Sequence, residues 1–244
     1  MSGLAERVAI ITGGGSGIGR AVASTMAALG AHVVICGRRA DVVTELAREA
    51  TNAGMTMRAV AADVGVEADV TRVVAEAYDN YGAVDILVNN AGVFEGGAIH
   101  AHDVDAWDRV MAANLRGPFL MSRAVLPIMR AQARGHIVNI SSESGIEHYP
   151  TNGAYGVSKH ALNALGEYIQ RENQDLGIRV NTVCPGVVLT DMAGDLGRVE
   201  PANCLLPEDI AELVLWLVTR RENIKIGTPV LMQTMRNPWR EVTQ

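Results

Sequence analysis

Cysteine is scarce in this chain. There are three, Cys36, Cys184 and Cys204, in 244 residues. Their odd number and wide spacing exclude a disulfide framework and fit a reducing, cytoplasmic setting. Long apolar runs are missing as well; none approaches the roughly 18 residues of a membrane span. No basic run appears, and the formal net charge is −6. Both argue against a nucleic-acid partner. The first ten residues, MSGLAERVAI, set Glu6 and Arg7 beside a strand-like run and lack the anatomy of a signal peptide. His100 and His102 form the only close histidine pair, with no cysteine nearby. An exposed loop, not a metal site, is expected there.

What is present is ordinary globular material, 48% hydrophobic and 20% charged. Short runs rich in β-branched residues fall at 8–11, 32–36, 57–61, 86–89, 136–140, 179–183 and 229–232. Helix-like stretches lie near 17–29, 41–53, 67–80, 104–133, 153–176 and 207–219. Nearly continuous apolar strands separated by such helices predict βαβ units and a parallel sheet covered on both faces. The expected fold is α/β: a single doubly wound Rossmann-type domain over 1–244, its seven-stranded parallel sheet flanked by helices. Pro118 and Pro127 lie inside the stretch 104–133 and are expected to kink it or mark tight packing.

The segment TGGGSGIGR, residues 12–20, holds five glycines in nine positions. It follows the first strand and opens the first helix. Backbone N–H groups and the dipole of a helix N-terminus suit a phosphate there. A plain glycine-rich turn is the alternative. The strict G-x-G-x-x-G spacing fails, because with Gly13 as the first position the sixth is Ile18. The P-loop pattern fails too, because Arg20 and Ala21 replace Lys and Ser/Thr. That disfavours a nucleoside-triphosphate enzyme.

Four further stretches follow in order: NNAG at 89–92, MAANLRG at 111–117, NISSESG at 139–145 and YGVSK at 155–159. Together with Gly13, Gly17 and Gly19, this set resembles the short-chain dehydrogenase/reductase family, in its single-domain branch, over nearly the whole chain. The resemblance implies an oxidoreductase that interconverts an alcohol with a ketone or aldehyde by hydride transfer. It implies Tyr155 as general acid/base and Lys159 as partner to Tyr155 and to the nicotinamide ribose. It likewise implies Ser142 as the group that stabilises charge on the substrate oxygen, and Asn114 as the residue that positions a water in the proton relay. Tyr155 and Lys159, four apart, share a helix face. A phenol has a pKa near 10, and a nearby ammonium is expected to lower it. On the residues alone, Tyr155 and Lys159 also read as a surface pair, Asn114 as a helix surface residue and Ser142 as a strand-end cap. Ser141 competes with Ser142, which is selected only by lying thirteen residues before Tyr155. A Ser/His/Asp hydrolase is disfavoured because Ser142 lacks a G-x-S-x-G elbow.

The same resemblance places the dinucleotide on Gly13, Gly15, Ser16, Gly17, Ile18 and Gly19, and on Asn90, Ala91 and Gly92. Asp63 and Val64 match the adenine pocket, although Asp63 also reads as a helix N-cap. Pro185, Gly186, Val188 and Thr190 match the nicotinamide side. At the end of the second strand an NAD site usually carries an acid. This chain reads Cys36-Gly37-Arg38-Arg39 there. A guanidinium suits the 2′-phosphate of NADP. Arg38 is taken as the main contact and Arg39 as auxiliary, with pairing to Asp41 at a helix start as the other reading of Arg39. The expected cofactor is NADP(H). The alternatives are an NAD-preferring dehydrogenase and a non-catalytic NADP-binding sensor.

Two departures from the family stand out. The lid at 190–206 is short, so the substrate is expected to be bulky or held by a neighbouring subunit. The usual C-terminal motif is replaced by GTPVLMQTMRNPWREVTQ. Trp239 in this tail either packs on a partner or anchors the tail to its own domain. Phe94, Glu143, Ser144, Tyr149, Met192 and Leu196 are expected to line the substrate cleft. Glu143 would repel acidic substrates and recruit a hydroxyl-rich or cationic one, or else simply faces solvent. Family members pair the helices at 104–133 and 153–176 across a two-fold axis. That implies a homo-oligomer, dimer or homotetramer, with Val110, Leu115, Leu162, Leu165 and Ile169 expected on the outward faces. The other expected partner is a small alcohol or carbonyl compound, with no nucleic acid, membrane or metal.

Overall fold

The computed structural model describes residues 4–194 and 199–239. Seven strands form one sheet: β1 (Val8–Thr12), β2 (His32–Gly37), β3 (Met57–Ala61), β4 (Ile86–Asn89), β5 (Gly135–Ile140), β6 (Ile178–Pro185) and β7 (Val230–Met232). Their order is β3-β2-β1-β4-β5-β6-β7, and every neighbouring pair is parallel. Predicted strand ends differ from these by at most two residues.

Strand residues alternate between two apolar layers, as period-2 geometry requires. Val33 and Ile35 of β2 pack with Val22, Met26 and Leu46 on one face. Val34 and Cys36 pack with Val73, Leu87 and Met121 on the other. The covering helices are α1 (Gly17–Ala28), α2 (Ala40–Asn52) and α3 (Glu67–Tyr81), then α4 (Val104–Met111), α5 (Gly117–Gln132) and α6 (Gly153–Asn173), and finally α7 (Asp191–Gly194) and α8 (Pro207–Val218). The chain leaves β1 toward β2 on one side and returns to β4 on the other. This reversal opens a crevice beyond the C-terminal ends of β1 and β4.

The stretch 104–133 departs from expectation. It breaks at neither proline but at a π-helical turn, Ala112–Arg116, between α4 and α5. Pro118 follows just after that turn, in the first turn of α5. Pro127 lies inside α5 without ending it.

The apolar residues expected on outward faces are also corrected. Val110, Leu162 and Ile169 are buried in the chain's own core, and Leu165 packs against that core. Leu115 is half-buried. On α4, α5 and α6 the large apolar residues that do reach the surface are Val104, Phe119, Val157 and Tyr168. Among the described residues no helix is long and apolar enough to cross a membrane.

Candidate functional site

Two clefts meet at the C-terminal edge of the sheet. The larger, of about 330 Å³, is lined by Gly13, Gly15 and Ser16, by Arg38 and Arg39, by Asp63 and Val64, and by Ala91 and Gly92. Gly13 adopts a φ of 64°, which favours glycine. A Cβ on Gly19 would collide with the Gly13 carbonyl. The loop is locked from β4: Asn90 Nδ2 donates to the carbonyls of Thr12 at 2.9 Å and Gly13 at 3.2 Å. Thr12 Oγ1 accepts the N–H groups of Asn90 and Ala91, each at 3.0 Å. Ser16 stands at the N-cap of α1, but its hydroxyl makes no capping bond to the helix. The first N–H groups of the helix therefore remain for a ligand. A backbone cradle that tolerates no side chain, beside a helix N-terminus, fits a dinucleotide pyrophosphate.

Arg39 precedes α2, yet its guanidinium turns back and donates to Ser16 Oγ at 3.2 Å. Its pairing with Asp41 is not what forms. Arg38 is exposed and lines the same cleft. Asp63 does not cap α3; that position is Val66. Its Oδ1 accepts Gly65 N–H at 2.8 Å, and its N–H donates to Asp69 Oδ2 at 2.8 Å. Sequence reasoning missed a second pair on this cleft. Arg109 of α4 makes a two-pronged bridge to Glu95, at 2.9 and 2.7 Å. Arg109 holds the Glu95 carboxyl below its ordinary pKa.

The polar group around α6 brings all four expected catalytic residues together. Lys159 is buried, and its Nζ donates to the carbonyl of Ile140 at 2.9 Å and lies 5.5 Å from the Tyr155 ring centre. Burial pushes the Lys159 ammonium down to about 8. Burial also pushes the Tyr155 phenol above its ordinary value, with the Ser142 hydroxyl pulling the other way and the Glu143 charge adding to the rise. This corrects the expectation that Lys159 lowers the phenol: desolvation dominates. Tyr155 and Lys159 are thus not a surface pair.

Ser142 follows β5 and caps the 3-10 turn Glu143–Gly145, its Oγ accepting Ser144 N–H at 3.1 Å. Its rival, Ser141, spends its hydroxyl on the Lys159 carbonyl at 3.2 Å. Asn114 is fully buried in the π-helical turn. Its Oδ1 accepts Val93 N–H at 2.8 Å, and its Nδ2 donates to Val93 O at 2.9 Å and Ser158 Oγ at 3.1 Å. The surface reading of Asn114 falls. Gly92 of the larger cleft packs near both Asn114 and Lys159.

The smaller cleft, of about 170 Å³, is lined by Phe94, Ser142, Glu143, Tyr155, Met192 and Trp239, among others. Ser144 joins this lining, as do Ile18 from the glycine loop and Pro185, Gly186, Val188 and Thr190 beyond β6. Thr190 also touches Gly17. Phe94 meets Tyr155 edge-on, ring centres 5.2 Å apart. Tyr149 does not line the cleft, and Leu196 lies outside the described residues. Trp239 is there because the tail folds back on its own chain. Val199 pairs antiparallel with Trp239, and Glu200 N–H donates to Pro238 O at 2.7 Å. Thr234 Oγ1 donates to Asn203 O at 2.8 Å.

Comparison with known proteins agrees with this architecture. The family model described as short chain dehydrogenase matches residues 7–200. The chain belongs to that family. An uncharacterized oxidoreductase of Staphylococcus saprophyticus is 34% identical over 225 residues, 92% of this chain and 96% of its own. Uncharacterized oxidoreductases of Staphylococcus epidermidis and Staphylococcus aureus are each 31% identical, over 93% of this chain and 97% of their own. The protein is an oxidoreductase of the short-chain dehydrogenase type, a family that binds NAD(P)(H).

Proposed function

We propose that this oxidoreductase interconverts an alcohol with a ketone or aldehyde using NADP(H), with Tyr155 as general acid/base. The observation that carries the reading is Tyr155 beside Ser142 at the cleft floor, backed by buried Lys159. When bound, the reduced nicotinamide supplies the hydride. The chain supplies the rest. Tyr155, whose raised pKa keeps its proton on at neutral pH, donates that proton to the carbonyl oxygen. Ser142 Oγ stabilises the charge developing there. In this reading Lys159 holds ribose hydroxyls, Asn114 anchors the relay, and 190–206 forms the substrate lid.

Arg38 and Arg39 support NADP over NAD, because the cleft wall offers cations where NAD sites hold an acid. Carbonyl-dependent oxidation of NADPH, compared with NADH, tests both parts. Faster turnover with NADH would replace this reading by the NAD-preferring one. Tight NADPH binding with no turnover on any carbonyl or alcohol would leave the sensor reading. Buried, unpaired cysteines fit a cytoplasmic setting. The exposed Phe119, Val157 and Tyr168 on α5 and α6 support a homo-oligomer, dimer or tetramer. Light scattering that returned the monomer mass of 26.0 kDa would exclude it.

A further inference from the structure

The smaller cleft holds one formal charge. Among the described residues that line it there is no Lys, Arg, His or Asp; Glu143 is the single carboxylate. Glu143 opens the 3-10 turn that Ser142 caps, which puts it next to the group expected to meet the substrate oxygen. Its Oε2 accepts Gln233 Nε2 at 2.8 Å. That donor is neutral, so it orients the carboxylate without cancelling its charge. The nearby ammonium, Lys159, is turned away onto the Ile140 carbonyl. Two aromatic residues, Phe94 and Trp239, line the same cleft. An unneutralised carboxylate in a cleft that also carries aromatic side chains is the chemistry that holds an organic cation. The same charge in a cleft of about 170 Å³ repels carboxylates and phosphates.

We propose that the cleft selects alcohols and ketones that carry a protonated amine close to the reacting carbon, and that Glu143 is the selecting group. The inference rests on the carbonyl-reductase reading. It assigns a task to the replaced tail: Gln233 aims the carboxylate, and Trp239 completes the wall.

Three small ketones of similar size test it: aminoacetone, butanone and acetoacetate, each followed by NADPH oxidation. The wild-type protein is expected to favour aminoacetone over butanone in kcat/KM by about tenfold, the factor that 1.4 kcal/mol gives. Acetoacetate is expected to fall below butanone by a similar factor. Glu143→Gln keeps an acceptor for Gln233 and should bring both ratios close to one, whatever it does to the absolute rates. Butanone turned over as well as aminoacetone, or ratios unchanged in Glu143→Gln, would overturn the proposal. Calorimetric titration of 1-amino-2-propanol against 2-butanol separates this from the reading beneath it. Equal binding defeats the selection. Amine-selective binding with no turnover of any ketone supports Glu143 as the cation's partner and sinks the reductase reading instead.

Discussion

The glycine-loop cleft and the Tyr155 cleft adjoin where Val93 of the first gives way to Phe94 of the second, but they are assembled differently. The first is walled by short segments at the ends of successive strands: the β1–α1 loop, the β2 end at Arg38, the β3 end at Asp63 and the β4 end at Ala91. Each segment is fixed by the sheet, so its backbone is placed before any ligand arrives. The second cleft has a similar floor at Ser142 and Tyr155. Its outer wall comes from Met192 in α7 and Trp239 in the tail. The lid and tail are tied to each other by an antiparallel bridge, a backbone hydrogen bond from Glu200 to Pro238, and side-chain bonds of Asn203 and Thr234 to backbone carbonyls. A sheet-fixed cleft suits a ligand that stays the same across a family. A cleft walled by lid and tail can change its ligand without disturbing the sheet.

The sharpest break in that comparison is at the floor of the Tyr155 cleft. Tyr155→Phe should lower turnover on the order of 10²–10⁴-fold, the usual share of a general acid/base. NADPH affinity should stay within a few-fold, because the ring remains packed on Phe94. A variant that kept a large share of wild-type turnover would end the assignment of Tyr155. Lys159→Ala comes next, because Lys159 packs near Gly92 of the first cleft and near the Tyr155 ring of the second. Turnover should fall roughly a hundredfold and NADPH affinity about tenfold, consistent with loss of a buried charged donor. Loss of turnover with cofactor affinity untouched would confine Lys159 to the smaller cleft.

Arg38→Ala sharpens the comparison from the other side. Removing one charged partner of a phosphate costs about 1.5–3 kcal/mol, roughly a tenfold to hundredfold loss for NADPH. NADH, lacking the 2′-phosphate, should change little. Gly37→Asp should go further and turn preference toward NADH. Fluorescence titration of both cofactors measures each effect. Equal weakening of the two would move Arg38 off the phosphate.

These differences explain what the sequence made legible. Strand and helix positions follow from period and turn chemistry, and the glycine-loop cleft uses residues near those strand ends. Asn114 was legible as a residue but not as a place. Nothing local announces that Ala112–Arg116 winds as a π-helical turn, and that turn aims the side chain at Val93 and Ser158. The Glu95–Arg109 bridge joins residues fourteen apart across a loop, with no periodic signal. Val110 and Leu162 carry the apolar pattern of either a core or an interface; only the packed helices decide, and they decide for the core. The tail was the least legible part. Its pairing with Val199 and Glu200 depends on a long-range return that composition does not encode.

The smallest expected effect tests that return directly. Trp239 lines the Tyr155 cleft and is still 38% exposed. Its contact with a ligand is therefore partial. Trp239→Ala should raise KM for a neutral ketone about fivefold, equivalent to about 1 kcal/mol. Both kcat and NADPH affinity should hold, because Tyr155, Ser142 and the glycine loop lie on other elements. Trp239→Phe should recover most of the loss by restoring an aromatic face. The comparison fails if Trp239→Ala weakens NADPH as much as the ketone, since the tail would then support both clefts. It fails equally if KM does not move, since the outer wall of the substrate cleft would then lie elsewhere.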